Sequence, residues 1–188
     1  MTSTALKDVS PWPPPLSDIK SLRERARRQI EQGAVTPGYA ANRENVIKAL
    51  NEALATELVC VLRYRRHYFM ASGIHAGSVA AEFLEHAVAE MGHADRLAAR
   101  IVQLRGAPNF SPEGLAARSH AEYVEGDTLK SMIRENLVAE RIAVESYREM
   151  IAHFGDEDPT TCRMLEEILA SEEEHADDLA SLLEGMKD

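Results

Sequence analysis

Apolar positions recur along this chain at alternating steps of three and four, the spacing that lays one continuous stripe along an α-helix. Ile47, Leu50, Leu54, Glu57, Val61, Tyr64 and Tyr68 share one stripe in a run covering residues 42–71. Ser72 and Gly73 break it from a second run that reaches Arg105 and stops at Gly106 and Pro108. That second stripe holds Phe83, Ala87, Glu90, Ala94, Leu97, Ile101 and Leu104. A third run, residues 127–154, aligns Leu129, Ile133, Leu137, Glu140, Val144, Tyr147 and Ile151. After a turn at 155–159 that closes on Pro159, a fourth aligns Leu165, Ile168, Glu172, Ala176, Leu179 and Leu183. Short turns within each pair predict two helical hairpins. The polar stretch 106–126, with Pro108 and Pro112, joins them, and at about 3.3 Å per extended residue it reaches the length of a bundle. The pattern predicts an all-α four-helix bundle with a long crossover between its second and third helices.

Upstream, residues 16–32 read as a short basic helix with Ser17 as its cap, carrying Arg23, Arg25, Arg27 and Arg28 and ending at Gly33. Pro11, Pro13, Pro14 and Pro15 around Trp12 exclude a continuous helix before it and predict an extended arm. The organisation expected is an N-terminal extension over residues 1–40 and a bundle over 41–188.

Each of the four stripes that should face the core contains a glutamate: Glu57, Glu90, Glu140 and Glu172. Two of them, Glu90 and Glu172, are followed three residues later by His93 and His175, on the same helix face. The midpoint of positions 57 and 90 is about 73.5, inside the first turn, and that of 140 and 172 is about 156, inside the second. Both hairpins therefore set their carboxylates at matching heights. The halves also repeat with an offset of about 82–83 residues, which predicts a pseudo-twofold site. Four uncompensated carboxylates in an apolar core would cost several kcal/mol each, and metal cations remove that cost. Four carboxylates and two imidazoles without thiolate suit iron or manganese. A Glu from each of two helices plus Glu-x-x-His from the other two marks the ferritin-like di-iron and di-manganese proteins.

At these motifs the chain resembles bacterioferritin: ELVCVLRY from Glu57 to Tyr64, AEMGHADR from Ala89 to Arg96, LVAE ending at Glu140, and SEEEHADDL from Ser171 to Leu179. The resemblance covers about residues 45–185. It implies an iron-storage and detoxification protein that oxidises Fe(II) with dioxygen or peroxide, a ferroxidase, and stores Fe(III) in a hollow homo-oligomeric shell. It further implies two iron ions per subunit, with Glu57 and His93 on one, Glu140 and His175 on the other, and Glu90 and Glu172 bridging both. Tyr64 would hydrogen-bond near the site. Met91 falls where bacterioferritin supplies a methionine to a haem shared across a twofold interface; the alternative is a plain interface methionine. The chain stops 13 residues after His175, without the short fifth helix that bacterioferritin places around its fourfold channels. That departure and the N-terminal extension look more like the dodecameric Dps-type relatives, so twelve subunits are expected rather than 24. Glu85 and Ala89 stand where the family has the histidine and aspartate that pass iron to the cavity.

Composition changes little in this picture. At 188 residues, 45 % hydrophobic and 5 % aromatic, the chain suits a helical protein with one substantial core. No stretch approaches the roughly 18 apolar residues of a membrane span and no signal segment opens the chain, so a cytoplasmic protein is expected. Cys60 and Cys162 lack paired spacing and read as free thiols, Cys60 as a small buried one, the alternative being an approach to the metal from the face it shares with Glu57. A net charge of −10 repels nucleic acid, and Glu24 dilutes the basic run from Lys20 to Arg28, so DNA is not an expected partner. Acidic residues around the fourth stripe, among them Glu173, Glu174, Asp177 and Asp178, read as a solvated face that attracts cations. His67 and His86, a helical turn from stripe residues, are expected to be exposed or at an interface, the alternative being an outer-sphere or accessory iron ligand. Alternative chemistries with the same ligands are a rubrerythrin-like peroxidase, a manganese catalase or an oxygenase. A DNA-protecting shell is the alternative from another class, and ligand type alone does not separate iron from manganese.

Overall fold

The computed structural model describes residues 16–74 and 76–186, which fall into two compact units, one up to Gly38 and one from Tyr39 onward. The expected proline-rich arm lies almost entirely outside the described residues. In the first unit, helix α1 (Ile19–Ala26) is capped by Asp18, whose side chain accepts from the backbone N–H groups of Lys20 at 3.0 Å and Ser21 at 3.1 Å. The expected cap, Ser17, instead accepts from Arg25 at 2.9 Å. The helix is also shorter than the basic run. Gln29 adopts a left-handed conformation with φ of 51°, and only a 3₁₀ turn, Ile30–Gln32, follows. No residue of α1 is buried, so no packing holds the helix past this break.

The second unit contains the four predicted long helices: α2 (Arg43–Met70), α3 (Ala76–Gln103), α5 (Leu129–Phe154) and α6 (Pro159–Gly185), with a single turn, α4 (Leu115–Arg118), between α3 and α5. Helices α2 and α3 pair as one hairpin and α5 and α6 as the other. Caps mark the helix starts. Asn42 accepts from the N–H of Asn45, Thr128 and Ser131 cap α5 reciprocally, and Asp158 precedes Pro159 at the first position of α6. The stripes turn inward as their period requires: Leu50, Leu54, Phe83, Leu97, Ile101, Ile133, Leu165 and Ile168 are all fully buried. No described helix is long and apolar enough to cross a membrane.

The crossover runs along α2 and is tied to it at successive heights. Asn51 donates to the carbonyl of Ala107 and accepts from the N–H of Asn109, Thr56 accepts from the N–H of His120, and Arg63 donates to the carbonyl of Glu122 at 2.8 Å. Near the end of α2, His67 donates from Nε2 to the carbonyl of Glu125 at 2.9 Å. The stretch expected to be extended therefore holds the one-turn α4 as well, which shortens its reach without preventing it from following the helix.

One buried ion pair locks the end of the bundle where α3 finishes and α6 begins. Asp158, 2 % exposed, receives hydrogen bonds from Arg100 and Tyr39, both at 2.7 Å, and from the side chain and backbone of Thr161. Burial alone would raise the Asp158 pKa, but the Thr161 and Tyr39 hydrogen bonds outweigh it and hold the carboxyl below its ordinary 3.8. Its stabilisation is thus full above about pH 4 and fades as the pH falls through the lowered folded value. Asp158→Ala leaves Arg100 buried without its partner and is expected to cost about 3–5 kcal/mol in denaturant unfolding at pH 7. The gap between variant and parent should narrow below pH 4.

Candidate metal centre

The glutamates of the four stripes meet at mid-height, one from each long helix. Glu57 (α2), Glu90 (α3), Glu140 (α5) and Glu172 (α6) are each 0–1 % exposed, and His93 and His175 are 6 % and 7 % exposed. Their donor atoms form two groups, Glu57, Glu90, His93 and Glu172 in one, and Glu90, Glu140, Glu172 and His175 in the other. In each group the atoms lie within 4.8 Å of one another. Glu90 and Glu172 belong to both.

The two shared carboxylates divide their oxygens between the groups. His93 Nδ1 lies 3.2 Å from Glu90 Oε2, 2.8 Å from Glu172 Oε1 and 3.5 Å from Glu57 Oε2. His175 Nδ1 faces the opposite oxygens, Glu90 Oε1 at 3.5 Å and Glu172 Oε2 at 3.7 Å, with Glu140 Oε2 at 3.9 Å. This is the disposition of two bridging carboxylates, each with one oxygen for either ion of a pair. The outer oxygens of the other two glutamates are occupied. Tyr64 donates to Glu140 Oε1 and Tyr147 donates to Glu57 Oε1, each phenol reaching across to the other hairpin.

The inward atoms lack donors. Glu90 Oε1, Glu140 Oε2, both oxygens of Glu172 and His175 Nδ1 are buried with no partner in hydrogen-bonding geometry. Lone pairs converging on one space, with no N–H or O–H donor to meet them, fit a pair of cations. The charges also fit, because two divalent cations balance four carboxylates while both imidazoles stay neutral. Without cations the site compensates by holding protons. Burial, then the neighbouring Glu172 and Glu90 charges, raises Glu57 well above the usual carboxylate range. Burial and the charges of Glu90 and Glu172 do the same to Glu140. Burial opposes protonation of His93, but the Glu172, Glu57 and Glu90 carboxylates beside its ring prevail and push its pKa up to about 12. The same balance pushes His175 up to about 9.

Sequence reasoning missed Tyr147 and misplaced two histidines. Tyr147 stands seven residues after Glu140, as Tyr64 stands seven after Glu57, so the offset between the halves already pointed to it. His86, expected to be exposed or at an interface, is 2 % exposed. It stacks on His175 with ring centroids 4.1 Å apart and places Nδ1 3.1 Å from the Tyr64 hydroxyl. His86, Glu140 and His175 also lie within metal-binding distance of one another. His67 is fully buried as well, held by Asn136 and the crossover carbonyls, because that connection covers its side of α2. Cys60 is buried beside Arg63, and burial pushes its thiol pKa well up. Met91, the position considered for haem, is 40 % exposed on α3 and outside the cluster.

A family profile described as a ferritin-like domain matches residues 47–188. The bacterioferritin of Mycobacterium tuberculosis is 31 % identical over 143 residues, 76 % of this chain and 86 % of that one. The bacterioferritin of Brucella melitensis is 32 % identical over 142 residues, 74 % and 83 % of the two chains. Among solved structures, a dodecameric thioferritin, the bacterioferritin-related protein from Bacteroides fragilis, aligns with a TM-score of 0.75 at 31 % identity over 78 % of this chain and 89 % of its own. Dps from Thermosynechococcus elongatus, 20 % identical, shares the fold with a TM-score of 0.73 over 77 % and 96 % of the two chains.

Each tyrosine orients a carboxylate whose other oxygen faces the cluster, so removing one phenol leaves the glutamate free to turn. Tyr64→Phe and Tyr147→Phe are each expected to weaken Co(II) binding about 10–100-fold in an equilibrium titration, with the helical content unchanged.

Proposed function

We propose that this chain, which belongs to the ferritin-like family and is a homologue of the bacterioferritins, oxidises Fe(II) at the buried cluster and stores the Fe(III) in a homo-oligomeric shell. The observation that carries the reading is the division of the Glu90 and Glu172 oxygens between two ligand groups, each completed by one histidine and one further glutamate. Glu57 and His93 would hold one Fe(II), Glu140 and His175 the other, with Glu90 and Glu172 between them. Fe(II) is the substrate, and the two ions together supply the two electrons that reduce dioxygen to peroxide or peroxide to water.

The protein's own groups do the rest. The carboxylates, 0–1 % exposed, exclude bulk water from the ions and supply a mixed oxygen and nitrogen set that accommodates both Fe(II) and Fe(III). Tyr64 and Tyr147 fix the outer oxygens of Glu140 and Glu57, so only the inner oxygens are offered to the ions. Protons held by the cluster in metal-free protein leave as the cations bind, which makes binding tighter as the pH rises. A shell of twelve subunits in the cytoplasm is the assembly we favour, supported by the likeness to the dodecameric protein from Bacteroides fragilis. Met91, 40 % exposed, is open to a haem shared between two chains, as the likeness to the bacterioferritins suggests.

Anaerobic addition of Fe(II) to metal-free protein is expected to load two irons per chain, which oxidise rapidly on admission of air. Glu90→Ala together with Glu172→Ala should abolish both. Absence of tight binding, or equal behaviour in the variant, would refute the reading.

A further inference from the structure

A second cluster of donors lies beside the first, on its His175 side. Glu82 and His86 stand one helical turn apart on α3, and Asp178 reaches them from α6. His86 Nε2 is 3.3 Å from Glu82 Oε1 and 3.9 Å from Asp178 Oδ2, and the donor atoms of all three residues lie within 4.8 Å of one another. The side chains of Asp178 and Glu82 are 49 % and 31 % exposed, whereas that of His86 is 2 % exposed.

The hydrogen bonds around His86 fix where its lone pair points. Tyr64 commits its only hydroxyl hydrogen to Glu140, so its oxygen can serve His86 only as an acceptor. A neutral His86 ring therefore carries its proton on Nδ1 and presents the bare Nε2 to two carboxylates. Three acceptors face one another there, and His86 is a deeply buried side chain aimed into the group. A divalent cation satisfies all three, and one imidazole with two carboxylates suits a first-row metal completed by water.

The pseudo-twofold relation sharpens the case. The offset that carries Glu90 onto Glu172 carries Glu82 onto Met164 and His86 onto Ile168, and it carries Arg96 onto Asp178. In the first group's corner, Ile168 is fully buried and Arg96 donates to the carbonyl of Met164 at 3.4 Å. That corner is closed by apolar side chains and a fixed cation. The donors thus belong to one side of the centre alone, and paired helices by themselves do not produce them.

We propose that Glu82, His86 and Asp178 form a third divalent-cation site, which captures Fe(II) at the solvent side of the centre before it passes to Glu140 and His175. The donor sets overlap in sequence. His86 is shared with the group containing Glu140 and His175, and those two residues are shared with the second half of the dinuclear cluster. A cation moving inward exchanges Glu82 and Asp178 for Glu140 and His175 while His86 stays within reach. This inference rests on the dinuclear reading of the central cluster.

Zn(II), which binds without redox chemistry, separates the two claims. Crystals of the full chain soaked in Zn(II) should show three anomalous peaks, two in the central cluster and one between Glu82, His86 and Asp178. The Glu82→Gln, Asp178→Asn variant should keep the central two and lose the third, and at limiting Fe(II) its initial oxidation rate should fall severalfold. Two central peaks without the third in the wild-type protein would overturn the third site and leave the dinuclear reading intact. Absence of the central peaks would overturn both. A third peak with unchanged oxidation at limiting Fe(II) would overturn the capture role.

Discussion

Four carboxylates buried within a few ångströms of one another impose the constraint that the rest of the bundle answers. Coulomb repulsion at that range, in a medium that screens poorly, cannot be left standing. Positive charge has to enter the core, and the cluster admits two forms of it. Protons stay on Glu57 and Glu140, whose pKa values burial and neighbouring charges raise, and charge the histidines, or two divalent cations displace the protons and balance the carboxylates outright. The donorless inner oxygens of Glu90, Glu140 and Glu172 fit the second form.

The fold makes that convergence reproducible. Each hairpin brings one Glu and one Glu-x-x-His pair to the same height, and each sends a tyrosine across to steady the other's terminal glutamate. Packing of Leu54, Ile101 and Ile168 on one side and of Phe83, Ile133 and Leu179 on the other keeps the polar layer narrow. The crossover, tied to α2 through Thr56, Arg63 and His67, lets α5 begin at the far end without disturbing either hairpin. The Asp158 network closes the bundle near the start of α6. Pseudo-symmetry is broken mainly on the His175 side, where His86 replaces the apolar residue of the other half.

The period of the stripes carried most of this into the sequence. All four long helices of the bundle follow from it, and the glutamates stand out because they interrupt apolar runs at matching distances from the turns. What stayed illegible depended on neighbours rather than on period. His67 and His86 sit just off their stripes, a position that reads as exposed until the crossover covers one and α6 covers the other. Asp18 outcompeted Ser17 as a cap because its carboxylate reaches two backbone N–H groups at once, and adjacency in sequence does not reveal which of two good caps wins. Tyr147 was readable in principle, since the repeat that pairs Glu57 with Glu140 also pairs Tyr64 with Tyr147.

The central claim is that the buried carboxylates exist to be neutralised by cations, and thermal unfolding tests it without depending on oxidation. Metal-free protein and a Glu90→Gln, Glu172→Gln variant would be melted with and without Mn(II) at about 100 times its dissociation constant. A ligand at that level adds about 2.7 kcal/mol per site, so the wild-type protein should melt at least about 5 °C higher with Mn(II). The variant should gain far less, since only the site at Glu82, His86 and Asp178 remains to it. An equal shift in both proteins, or none in the wild type, would contradict the account.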